Sequence, residues 1–95
     1  MSAKTKILVV DDSKLMRKAV RNIFEDSNDI EVIGEAANGS EALELIPEIV
    51  PDVIVLDVNM PIMDGVKLVS MVRNDPNYKE TPIIVITTEG VSEYR

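Results

Sequence analysis

Three aspartates stand where apolar runs end. Val9 and Val10 lead into Asp11 and Asp12, and Val55 and Leu56 lead into Asp57. If the two runs are neighbouring strands of a doubly wound sheet, the three acids converge beyond the strands' carboxyl ends, where such sheets bind ligands. Carboxylates this close repel one another, so either some have raised pKa values or a divalent cation neutralises them. An all-oxygen donor set favours Mg2+ or a similar hard cation. Each feature has a plainer reading when taken alone. Asp11 and Asp12 precede a helix, where aspartate is a favoured N-cap, and Asp57 suits a strand-end turn. Their conjunction favours the site.

The elements that must position these acids are legible as patterns. Ile7 to Val10, Val53 to Leu56 and Ile83 to Ile86 are short β-branched runs bounded by polar or turn residues, as strands buried on both faces of a parallel sheet should be. A further strand is expected at Ile30 to Glu35. Between them, Met16, Ala19, Val20, Ile23 and Phe24 follow helical spacing, with Lys14, Arg17, Lys18 and Arg21 expected to face away. Asn38, Gly39, Ser40 and Glu41 open a second helix in capping-box order, and Ala42, Leu45, Ile46 and Ile49 form its apolar stripe. Pro47 lacks an N–H and is expected to end or kink that helix after about one and a half turns, leaving Glu48 to Asp52 irregular. A third helix is expected from near Asp64, with Leu68, Val69 and Val72 inward, to about Asn74, Asp75 and Pro76. The order β, α, β, α, β, α, β reads as an open doubly wound α/β sheet with right-handed crossovers. A single domain is expected over residues 1–95.

Composition narrows the function classes. The 95 residues are 45% hydrophobic, 28% charged and 3% aromatic, which fits a globular domain with an aliphatic core. Seventeen acids against ten bases give a formal charge of −7, so neither nucleic acid nor an anionic membrane surface is expected as a partner. There is no cysteine and no histidine. Disulfides, thiolate or imidazole metal sites and phosphohistidine are thereby excluded, and a reducing, cytoplasmic setting is expected. No apolar run approaches the roughly 20 residues of a membrane helix, and the polar start from Met1 to Lys6 gives no signal-peptide pattern.

Three tracts together resemble the response-regulator receiver family: Val9-Val10-Asp11-Asp12-Ser13, Asp57-Val58-Asn59-Met60-Pro61 with Met63-Asp64-Gly65, and Pro82-Ile83-Ile84-Val85-Ile86-Thr87. The resemblance runs in order from Lys6 to about Thr88. The tracts from Asp11 to Arg17 and from Thr87 to Gly90 look most like single-domain chemotaxis regulators. The resemblance implies a flavodoxin-like receiver fold in which Asp57 is the phosphoacceptor, taking a phosphoryl group from a sensor histidine kinase's phosphohistidine or from a small phosphodonor. It implies Mg2+ held by Asp11, Asp12, Asp57 and the backbone carbonyl of Asn59. Pro61 and Gly65 would shape the loop over the site. Thr87 would be the switch hydroxyl, with Thr88 beside it influencing access to the phosphorylated Asp57. Lys14 is read as a solvated helix residue.

The receiver pattern continues through a fourth helix, a fifth strand with a terminal lysine, and a fifth helix, for which no counterpart is expected here. Lys79 is no substitute, because it precedes the fourth strand and falls at the opposite edge of the sheet. Ile83 to Ile86 is then an apolar edge strand, and self-association through that edge is expected. An alternative is therefore a self-assembling module with an impaired phosphorylation site. A phosphohydrolase of the haloacid-dehalogenase type would need a second Asp at the position of Asn59. A flavodoxin-like FMN carrier would not place Asp11 and Asp12 at the phosphate loop.

Overall fold

The computed structural model describes residues 4–57 and 62–86, with residues 62–64 described by their backbone alone. Its elements are β1 (Thr5–Val10), α1 (Lys14–Ile23), β2 (Ile30–Ala36), α2 (Gly39–Ile49), β3 (Val53–Asp57), α3 (Ile62–Asn74) and β4 (Ile83–Ile86). The strands form one sheet in the order β2-β1-β3-β4, and every neighbouring pair is parallel. The expected doubly wound arrangement is present, with its winding reversed between β1 and β3. No helix among the described residues is long and apolar enough to cross a membrane.

Strand alternation divides the core in two. Leu8, Val10, Ile54 and Leu56 point to one face, where they pack with Ala42 and Ile46 of α2 and Leu68 and Val72 of α3. Ile7, Val9, Val32 and Val55 point to the other face, against Val20 and Phe24. The buried stretches of β1 and β3 face apolar residues on both sides, which is why their runs are uniformly apolar. A register shift between Ile7 and Leu8 pairs them with Val32 and Gly34, leaving Ile33 as an extra residue in β2. Gly34 lets Ile49 of α2 come close: a Cβ there would lie 2.8 Å from Ile49 Cδ1, the movable end of that side chain.

Local signals set the helix starts. Ser13 caps α1, its Oγ accepting from the Met16 N–H at 3.2 Å. Asn38 caps α2 by accepting from the Glu41 N–H at 2.9 Å, and Glu41 Oε1 accepts from the Ala37 N–H at 2.8 Å. The reciprocal cap is as expected, closed one residue before Asn38.

Three expectations are corrected. The helix α2 continues through Pro47 to Ile49. Proline in the last turn forfeits one N–H, and Ile46 and Ile49 still seat that turn on the sheet while the Val50 N–H bonds to Ile46 O at 2.8 Å. Val50 then leaves the helix in the left-handed region, with φ of 46°. Second, Ile23 is not inward but 72% exposed, as is Leu15 at 75%. The apolar arc of α1 is wider than the strip it lays on the sheet, and only Val20 is fully buried. Third, Arg17 and Arg21 do not face away but fold over β2 onto Glu35. At the far side of the sheet β4 pairs only with β3 among the described residues, leaving Ile84 and Val85 52% and 56% exposed.

Candidate metal and phosphoacceptor site

Sheet order brings the acids together. Val10 pairs with Leu56, so the next residue on each strand, Asp11 and Asp57, lies side by side at the carboxyl edge. Asp11 is 1% exposed and Asp57 4%, the two buried charged residues among those described. Asp12 is exposed beside them. One carboxylate oxygen from each of the three lies within 4.8 Å of the others.

The cluster is not a set of helix caps. Ser13 occupies the cap, and Asp11 Oδ1 accepts from the Ser13 N–H at 2.8 Å. Asp11 Oδ2 is buried and has no hydrogen-bond partner. A buried carboxylate oxygen without a donor is costly unless a cation or a proton satisfies it. Burial, reinforced by Asp57 and Asp12 against the opposing Ser13 N–H, raises the Asp11 pKa from 3.8 to about 6. The orphan oxygen and the oxygen-only donors therefore fit a hard divalent cation.

The main chain around Asp11 is held from two sides. Its N–H donates to Ala36 O at 3.0 Å, and its carbonyl accepts from Arg17 Nη1 at 2.7 Å. Arg17 Nε donates to Glu35 Oε1 at 3.2 Å, and Arg21 Nε donates to Glu35 Oε2 at 2.6 Å. The Arg21 hydrogen bond is the main cause holding the Glu35 carboxyl below its ordinary range, with Arg17 assisting against the cost of burial. This network is absent from the sequence reading. Its signal is the period-2 place of Glu35 on β2, opposite Val9 and therefore on the α1 face.

Other expected site residues fall as follows. Asn59, Pro61, Thr87 and Thr88 lie outside the described residues. Gly65 is not in a loop over the site but inside α3, and a Cβ there would meet Leu56 Cδ2 at an ordinary 3.8 Å. Lys14 is exposed on α1. Lys79 lies in the turn before β4, beside Val50, Pro51 and Asp52 at the opposite edge from the acids, as expected.

Comparison with known proteins places these features in a family. The family described as response regulator receiver domain matches residues 7–95. A protein-glutamate methylesterase/protein-glutamine glutaminase of Methanococcoides burtonii is 54% identical over 88 residues, covering 93% of this chain and 24% of that protein. A second such protein, of Methanosarcina acetivorans, is 45% identical over 89 residues, covering 90% and 25%. The chain thus spans about a quarter of the length of these curated relatives. Among solved structures, the chemotaxis response regulator CheY4 of Vibrio cholerae superposes with a TM-score of 0.79 at 43% identity, covering 94% of this chain and 72% of that one. The response regulator domain of Thermotoga maritima CheB gives 0.77 at 32% identity, covering 95% and 67%. The CheA3 P1 domain complex with CheY6 from R. sphaeroides matches at 0.76 and 27% identity, covering 92% and 66%.

Proposed function

Because this chain belongs to the response regulator receiver domain family, we propose that it is a phosphoacceptor switch in which Asp57 takes a phosphoryl group from a sensor histidine kinase. The observation that carries this reading is the buried pairing of Asp57 with Asp11 at the β1–β3 crevice, with Asp12 completing a set of oxygens within 4.8 Å. A complex of a CheA3 P1 domain with CheY6, a structural relative, supports the choice of donor.

An Asp57 carboxylate oxygen attacks phosphorus in line with the phosphohistidine nitrogen. The O–P bond forms as the N–P bond breaks, leaving an acyl phosphate on Asp57 and the imidazole on the kinase. Asp11, Asp12, Asp57 and the Asn59 backbone carbonyl would hold Mg2+. Bound there, the cation neutralises charge on the carboxylates and phosphoryl oxygens. Burial of Asp57 at the sheet edge excludes competing water from most of its surface. The Thr87 hydroxyl donates to the new phosphoryl oxygens and couples the charge to a change of partner surface.

Intact mass after incubation with acetyl phosphate and Mg2+ tests the reading. The parent chain gains one phosphoryl group, and Asp57→Asn gains none while its far-UV circular dichroism is unchanged. Labelling that persists in Asp57→Asn identifies a different nucleophile.

A second reading, self-association through β4, is favoured by one observation: Ile84 and Val85 are exposed on a strand that, among the described residues, is paired on one side only. Light scattering then gives a dimer or larger species that Ile84→Lys converts to monomer. A monomeric parent chain removes this reading.

A further inference from the structure

Arg17 is spent on the main chain of Asp11 rather than on its carboxylate. Its Nη1 meets the Asp11 carbonyl at 2.7 Å, whereas the Asp11 carboxylate takes only the Ser13 N–H and leaves Oδ2 without a partner. The guanidinium therefore does not do the work of a neutralising cation. Nor does helix stability explain it. A cation near a helix N-terminus opposes the macrodipole, and α1 has no acidic residue in its first turn.

What the guanidinium does is geometric. Its donors form a rigid fork. One prong meets the Asp11 carbonyl and another meets Glu35 Oε1 at 3.2 Å, on the strand residue that pairs with Val9. The Asp11 carbonyl belongs to the planar peptide that joins Asp11 to Asp12, so holding that oxygen fixes the plane from which both carboxylates project. The Arg17 side chain is largely buried, with 16% exposed, and its own N–H closes the first turn of α1 on Ser13 O at 3.0 Å. Arg21 shares Glu35 through the other carboxylate oxygen but does not reach Asp11: its Nη1 donates to Val32 O at 3.3 Å.

We infer that Arg17 is a positioning residue of the acid cluster: by bridging the Asp11 carbonyl to Glu35 it aims the Asp11 and Asp12 carboxylates, and so sets how tightly the cluster holds a divalent cation. This rests on the proposed reading of the cluster as a Mg2+ site.

Calorimetric titration with Mg2+ tests it on the parent chain, Arg17→Lys, Glu35→Gln and Arg21→Gln, each checked by circular dichroism. Lysine keeps the charge but has no fork. Arg17→Lys is expected to weaken Mg2+ binding by roughly 10-fold or more, the usual loss when a group supporting a metal ligand is removed. Glu35→Gln weakens it less. Arg21→Gln removes an ion pair from the same network and leaves Mg2+ affinity unchanged. Equal affinity in Arg17→Lys and the parent, or equal weakening in Arg21→Gln, overturns the inference. Should Arg17→Lys fail to fold, Glu35→Gln against Arg21→Gln decides by the same criteria.

Amide exchange at Ser13, whose N–H is held by Asp11 Oδ1, gives a readout without metal. It accelerates in Arg17→Lys and in Glu35→Gln but not in Arg21→Gln; equal rates in all overturn the inference. A parent chain that takes up no Mg2+ refutes the proposed function, and Ser13 exchange then decides the role of Arg17.

Discussion

Replacing Asp11 by asparagine should stabilise the protein when no divalent cation is present. Asp11 sits buried against Asp57, and its pKa rises from 3.8 to about 6, by burial first and then by its acidic neighbours. At 1.36 kcal/mol per pH unit, the ionised side chain withholds about 3 kcal/mol of stability at neutral pH. Asparagine keeps an oxygen for the Ser13 N–H and puts a neutral donor where Oδ2 lacks a partner. Allowing for relaxation around the new amide, a gain of about 1 to 3 kcal/mol is expected. Because the folded pKa is the higher one, the deficit is absent below about pH 3.8 and complete above about pH 6.

Urea unfolding followed by circular dichroism, with a chelator present, measures this. At a slope of about 1 kcal/mol per molar urea, the midpoint rises by about 1 M or more at neutral pH. The gain vanishes near pH 4. Added Mg2+ stabilises the parent but not Asp11→Asn, by about 1.4 kcal/mol at tenfold excess over its dissociation constant. An Asp11→Asn protein no more stable than its parent at neutral pH, or a gain that persists in acid, refutes the argument that charge crowding governs this site.

Three further outcomes follow from local geometry. Ser13→Ala removes the cap on Met16 N–H and lowers unfolding free energy by about 1 kcal/mol in the same assay. Val50→Gly relieves a β-branched residue at φ of 46° and raises stability by about 0.5 to 1 kcal/mol, the strain relief exceeding the added freedom of the unfolded chain. Arg21→Gln costs less than about 1 kcal/mol, since the ion pair is partly solvated. Glu35 has its folded pKa below 4.5, so this contribution is present above that pH and disappears as pH falls through the folded value, which a pH series of melting curves reads directly.

Much of the fold was legible because its signals are local. Four β-branched residues bounded by turns identify a strand without reference to any other part of the chain, as Ile83–Ile86 does. Asn and Glu at a helix start act within a few residues, as at Asn38 and Glu41. The three acids were identifiable because each sits at the end of such a run or directly after it.

Contacts between distant segments were not legible in this way. Pro47 looked like a break, yet the last turn of α2 is held by Ile46 in the core and by Ile49 seated over Gly34, a cross-element fit invisible to helix propensity. The apolar spacing of α1 suggested that Ile23 is buried, but spacing states only that residues share an arc, while the sheet decides how much of that arc it covers. Arg17 and Arg21 looked like a solvated face until β2 brought Glu35 beneath them.

By itself, then, the sequence determined the order and type of the strands and helices and where the carboxylates fall along them, because hydrophobic periodicity and caps act over a few residues. Only the tertiary structure decided that β1 lies beside β3, so that Asp57 reaches Asp11, and that Arg17 reaches back to the Asp11 carbonyl. Strand order depends on how crossovers pack onto both faces of one sheet, and that is a property of the whole assembled layer rather than of any segment.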